Sequence, residues 1–151
     1  MADLLSNQVL WTAILASTFA QILKLFIYYL VERRWEWERL AETGGMPSSH
    51  SATVAALATG VGITSGLNSS LFAITIVLAI IVMYDATGIR RAAGLQAERL
   101  NDLIDEFRKL VEQGPQTEPL KELLGHTYLE VAVGAALGIL FALVSFALVR
   151  A

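Results

Sequence analysis

The stretch Gly44-Gly45-Met46-Pro47-Ser48-Ser49-His50-Ser51, running straight into the small-residue segment from Ala52 to Gly66, decides how this chain is read. Two glycines and a proline make a turn, and Ser48 or Ser49 can cap the helix that follows. The free N–H groups of that helix's first turn favour a bound oxyanion, with His50 beside it as proton donor or acceptor. The competing reading is a plain helix start, with His50 an ordinary polar residue near an interface. What separates the two is whether the surrounding apolar segments bring other polar groups to the same place.

Composition narrows the class. The chain has 151 residues, 55% of them hydrophobic, and its mean hydropathy of +0.56 is too high for an ordinary soluble domain. A single integral membrane domain spanning 1–151 is expected. Cysteine is absent, which excludes thiolate nucleophiles, disulfides and cysteine-ligated metals. A net charge of -3 argues against nucleic acid as a partner. The opening Met1-Ala2-Asp3-Leu4-Leu5 lacks the basic region of a signal peptide, so the first apolar stretch is expected to remain in the mature protein.

Four membrane segments can be read: Gln8 to Val31, Ala52 to Gly66, Leu71 to Met83, and Leu129 to Val149. The second is short and rich in Gly and Thr, so it either spans or re-enters. Gly66-Leu67-Asn68-Ser69-Ser70 reads as the turn of a helical hairpin joining it to the third. Arg33, Arg34 and Arg39 follow the first segment, while Arg90, Arg91, Arg99, Arg108, Lys109 and Lys121 lie between the third and fourth. If all four cross, these two loops share one side, and the positive-inside rule makes that side cytoplasmic. Within the second loop, Leu95, Leu100, Leu103, Ile104, Phe107, Leu110 and Val111 recur at helical spacing among Glu98, Asp102, Asp105 and Glu106. This predicts an amphipathic cytoplasmic helix over 92–113, stopped by Gly114 to Pro119. It serves either as a surface helix packed on the bundle or as a lid beside lipid headgroups.

That topology collects three polar clusters, Gly44 to Ser51, Tyr84 to Arg91 and Lys121 to Glu130, at one membrane face. His126 and Glu130 stand four apart, so on a helix they share a face and can hydrogen-bond. A carboxylate on one imidazole nitrogen fixes the tautomer and makes the other nitrogen more basic, which suits a nucleophile or base. The plainer alternative is an acidic residue favoured at a helix start by the macrodipole. Asp85 adds a carboxylate, and Arg90 and Arg91 add guanidiniums whose forks match phosphate oxygens, although paired arginines after a span also serve as topology signals. Lys24 lies inside the first apolar segment, where a lone cation is a functional candidate unless it snorkels to the interface.

The Met-Pro-Ser-Ser-His-Ser run, with a distant His-x3-Glu and a Gly/Ala-rich span after it, resembles a divergent branch of the type 2 phosphatidic acid phosphatase superfamily, relatives of acid phosphatases and vanadium-dependent haloperoxidases. The likeness covers Gln21 to Lys24, Gly44 to Ser51, Tyr84 to Asn101 and Leu120 to Gly138. It implies His126 as a nucleophile forming a phosphohistidine, Glu130 as the acid orienting it, and His50 as acid to the leaving group. Ser48, Ser49 and their N–H groups would hold phosphate oxygens, without metal or cofactor. The pattern also departs from the family: Ser49 replaces the glycine before the motif histidine, Glu130 replaces an aspartate, and no Arg-Pro pair follows Lys24 at the family's spacing. Leu120 stands six before His126, where the family places an arginine. The nearest substitutes are Lys121, Arg90 and Arg91.

The function expected is hydrolysis of a membrane lipid phosphate, with phosphatidate, phosphatidylglycerophosphate and polyprenyl phosphate or diphosphate all chemically suitable. Two rivals stand beside it. One is an inactive lipid-headgroup-binding or scaffold protein whose Gly134-x3-Gly138 packs helices. The other is a metal-dependent hydrolase or ion carrier using His50, His126, Asp85 and Glu130, against which the clustered cations speak. The fold expected is an all-α helical bundle with four membrane segments plus the amphipathic cytoplasmic helix. Because so few spans bury little surface, a homodimer is expected.

Overall fold

The computed structural model describes residues 2–35, 44–110, 119–120 and 124–150. Among these all regular structure is helical: α1 (Ala2–Leu5), α2 (Gln8–Glu32), α3 (Ser49–Ser65), α4 (Ser70–Thr87), α5 (Ile89–Leu110) and α6 (Tyr128–Arg150). Three stretches are long and apolar enough to cross a membrane: α2, the α4–α5 run, and α6. The expected second segment is a helix, α3, but its 17 residues reach only ~25 Å at ~1.5 Å each, short of a ~30 Å hydrocarbon core. Instead α3 occupies the centre and packs on α2, α4 and α6.

The small residues of α3 explain that position. Ala52, Ala55, Ala56, Ala58 and Gly60 are buried, and α2 and α6 meet them with Ala13, Ala16, Ala20 and Ala142. Large apolar side chains face outward: Ile14, Ile22 and Phe26 on α2, Ile74, Val77 and Ile81 on α4, Leu140 and Leu148 on α6. Small residues inside and large ones outside invert the soluble pattern and suit lipid, where close backbone approach holds helices together. Gly134 and Gly138 make that approach. A Cβ at Gly134 would overlap the Ser48 carbonyl oxygen, and one at Gly138 the Ala52 carbonyl oxygen. Thr12 and Ser145 hydroxyls add a bond of 3.1 Å between α2 and α6.

The turn between α3 and α4 is the predicted hairpin. Gly66 has φ of +86°, where a side chain would be strained, and Ser69 caps α4 by accepting from the Phe72 N–H at 3.1 Å. The third segment runs on to Thr87, beyond its expected end at Met83, and the next helix begins at Ile89 instead of 92. Polar Tyr84 and Asp85 end the apolar run but not the backbone hydrogen bonding, since neither residue breaks a helix. Only Gly88, with φ -99° and ψ -88°, divides α4 from α5. Residues 111–113 of the expected amphipathic helix, its stop at Gly114 to Glu118, Arg39 and Lys121 lie outside the described residues.

Candidate functional site

Backbone contacts gather the C-terminal end of α4 with the N-terminal ends of α3 and α6. The Ser48 N–H donates to the Glu130 carbonyl at 3.1 Å, and the His126 N–H donates to the Ala86 carbonyl at 2.9 Å. Gly125, at φ +84°, lies so close to the start of α5 that a Cβ there would overlap the backbone of Arg90 and Arg91. On the other side, a Cβ at Gly45 would touch the Lys24 Cδ at 3.5 Å, so the glycine turn sits on the lysine stem.

Glu130 then does two things with one oxygen. Its Oε2 accepts from the Thr127 N–H at 3.1 Å while the Glu130 N–H donates to the Thr127 hydroxyl at 3.3 Å, a reciprocal capping box that starts α6. The same Oε2 lies 3.1 Å from His126 Nδ1. The structural role of a helix-start acid and the orienting role of a histidine partner are therefore met by one residue. With Nδ1 engaged, His126 Nε2 is left buried and without a hydrogen-bond partner among the described residues. Burial is the main influence on His126 and pushes its pKa below the ordinary histidine value; the bond and charge of Glu130 oppose this, Lys24 adds to the lowering, and the Gly45 backbone close to the ring opposes it. The ring is therefore held neutral at neutral pH.

His50 sits on the first turn of α3, with its ring centroid 6.3 Å from that of His126 and the planes inclined by 61°. Both rings line a cavity of about 180 Å³ shared with Ile81, Val82, Asp85, Ala86 and Arg90. Arg90 Nε donates to Asp85 Oδ2 at 2.8 Å. Arg91 is exposed and does not line this cavity; its backbone, not its guanidinium, meets the site through Gly125. Lys24 is buried, only 5% exposed, and lies beside the glycine turn in a neighbouring hollow with Tyr28 and Met46.

The serines divide their roles. Ser48 is fully buried, and its hydroxyl accepts from the Ser51 N–H at 3.3 Å and the Ser51 hydroxyl at 3.0 Å. Because its own N–H is given to Glu130, Ser48 builds the turn and has no N–H left for a ligand, contrary to the expectation for that group. The first-turn donors that α3 cannot satisfy internally are those of Ser49 and His50. Thr127 and Ser51 also belong to the site and were not among the expected residues; the Thr-x-x-Glu spacing was the available signal for Thr127. Among the described residues no three His, Asp or Glu side chains converge to hold a metal, so the four-donor set of the metal reading is not assembled.

Comparison with known proteins agrees on family. The sequence model described as the Divergent PAP2 family matches residues 5–141. The chain is 45% identical over 151 aligned residues to the uncharacterized membrane protein YuiD of Bacillus subtilis (strain 168), covering 94% of this chain and 96% of that one. No solved structure gives a significant match.

Proposed function

The chain is a membrane protein of the divergent PAP2 family, and from that premise we propose that it hydrolyses a lipid phosphate through a phosphohistidine on His126. The observation that carries this is the paired histidines: Nδ1 of His126 held by Glu130, Nε2 without a partner among the described residues, and His50 on the facing helix end with ring centroids 6.3 Å apart. In the first step His126 Nε2 bonds to phosphorus as the ester P–O bond breaks, and His50 gives its proton to the departing alkoxide. In the second, His50 takes a proton from water as its oxygen attacks phosphorus; the P–N bond breaks and inorganic phosphate leaves. The protein's contribution is placement and fixed charge around the phosphoryl group, with Lys24 and Arg90 supplying positive potential and the Ser49 and His50 N–H groups donating to the phosphate oxygens.

A site at the polar ends of apolar helices fits a substrate whose phosphate lies at headgroup depth and whose chains stay in hydrocarbon: phosphatidate, phosphatidylglycerophosphate, or a polyprenyl phosphate or diphosphate. On this reading the site faces the cytoplasm of the cell membrane, α3 is a fourth membrane segment, α5 lies along the interface as an amphipathic helix, and the chain works as a homodimer, which cross-linking in detergent checks. Leu120 at the family's arginine position favours a second reading, an inactive headgroup-binding or scaffold protein. Phosphate release from this lipid panel by purified protein in chelator separates the two. Turnover that is chelator-resistant and lost in His126→Ala supports the phosphatase, whereas silence on every lipid supports the scaffold.

A further inference from the structure

The family pattern asks for an arginine six residues before the later histidine, and this chain has Leu120 there. Leu120 is committed elsewhere: its N–H and carbonyl both pair with the Asn101 side chain at 2.9 Å. The geometry points to Arg90 as the phosphate clamp of this site, aimed by the Gly88 break and held by Asp85. This rests on the phosphate-handling reading given above.

The placement follows from helix geometry. In an unbroken helix at 3.6 residues per turn, positions 85 and 90 would lie about 140° apart and could not face one another. They meet because α4 closes at Gly88, whose N–H caps back to the Tyr84 carbonyl at 2.9 Å, and α5 starts afresh at Ile89. Asp85 then grips Arg90 through Nε alone, at 2.8 Å. The two terminal nitrogens of the guanidinium make no hydrogen bond to any described residue, and Arg90 lines the cavity that contains both histidines. Among the described residues nothing occupies the outer fork of the guanidinium, which matches two phosphate oxygens, and Arg90 shares its cavity with His50 and His126. Arg91, one residue on, is outside the cavity. Asp85 is therefore a positioning residue: it occupies Nε and, among the described residues, leaves the fork free. Side-chain exposures of 46% for Arg90 and 35% for Asp85 make this an ion pair of little weight in stability, so its arrangement serves placement more than folding.

The test is binding of inorganic phosphate to the purified full chain in detergent, read by phosphorus NMR line broadening and therefore independent of turnover. Arg90→Ala is expected to weaken binding about tenfold or more and Arg91→Ala by less than about twofold; Arg90→Lys, which keeps the charge and stem but loses the fork, falls between. Asp85→Ala weakens binding, and Asp85→Asn, which still offers Nε an acceptor, restores it. Retained helicity in circular dichroism checks that each variant is folded, and Arg90→Lys carries the comparison if Arg90→Ala is not. The proposal is overturned if wild type does not bind phosphate, if Arg90→Ala and Arg91→Ala weaken it equally, or if Asp85→Ala binds as tightly as wild type, in which case the aspartate merely competes with the ligand. Phosphate held through Arg90 without turnover of any lipid phosphate upholds the clamp and refutes the catalytic reading.

Discussion

Glu130 serves two neighbours with one carboxylate oxygen, capping α6 through the Thr127 N–H and holding Nδ1 of His126. The bond forms although His126 itself precedes α6, since the capping box with Thr127 turns the carboxylate back toward it. Thr127→Ala removes one half of the box and is expected to cost about 1 kcal/mol of stability while leaving the Nδ1 bond. Glu130→Gln keeps an acceptor but removes the charge, and turnover should fall by about 10²- to 10⁴-fold with far less change in unfolding; unfolding titrations beside kinetic assays check the contrast. The pH dependence follows from burial of His126. Its folded pKa is below the unfolded value of about 6.5, so its neutral, nucleophilic form persists below that pH and the acid limb that it contributes to turnover lies on the acidic side of it. The unfolded chain binds the proton first, so this residue's effect on stability is a loss that begins as pH falls through about 6.5 and grows toward the folded pKa. A pH–rate profile compared with His126→Ala unfolding curves reads both. That Arg90 and not Arg91 lines the histidine cavity was not legible, because the meeting of Asp85 with Arg90 depends on the dihedral angles of Gly88, which no residue spacing announces.

At the scale of elements, composition foretold α2, α6 and the α3–α4 hairpin, since long apolar runs and a Gly-Leu-Asn-Ser-Ser turn are local signals. The central place of α3 was only half visible. Its Ala, Gly, Ser and Thr content looked like a weak span, and the same smallness is what lets three helices close around it. Boundaries were missed where polarity and backbone part company, as in the continuation of α4 through Tyr84 and Asp85 to Thr87. The packing of α6 on α3 gives the sharpest expectation here. Gly138→Ala places a methyl on the Ala52 carbonyl oxygen and should destabilise the bundle by about 1–3 kcal/mol in a detergent unfolding titration. Activity should fall with it, because α6 carries Glu130 and the Ser48 contact into the site.

For the whole molecule, the outward-facing large residues and three helices long and apolar enough to cross a bilayer suit a membrane protein, and the polar helix ends collect the groups that sequence had scattered over a hundred residues. Their assembly was legible only through topology: once helices alternate in direction, clusters at alternate ends must meet. Sidedness gives a direct check, made clean by the absence of native cysteine. Asn68→Cys in the hairpin is expected to react with an impermeant thiol reagent from outside intact cells, and Thr127→Cys only after permeabilisation; the reverse would place the site on the outer face. The chemistry proposed for His126 is read by rapid alkaline quenching of protein turning over a lipid phosphate, followed by mass spectrometry of its peptides. A base-stable, acid-labile phosphoryl group is expected on His126, absent from His126→Ala, which should release no phosphate. Phosphate release with no phosphoryl group on His126, or undiminished release by His126→Ala, would contradict it.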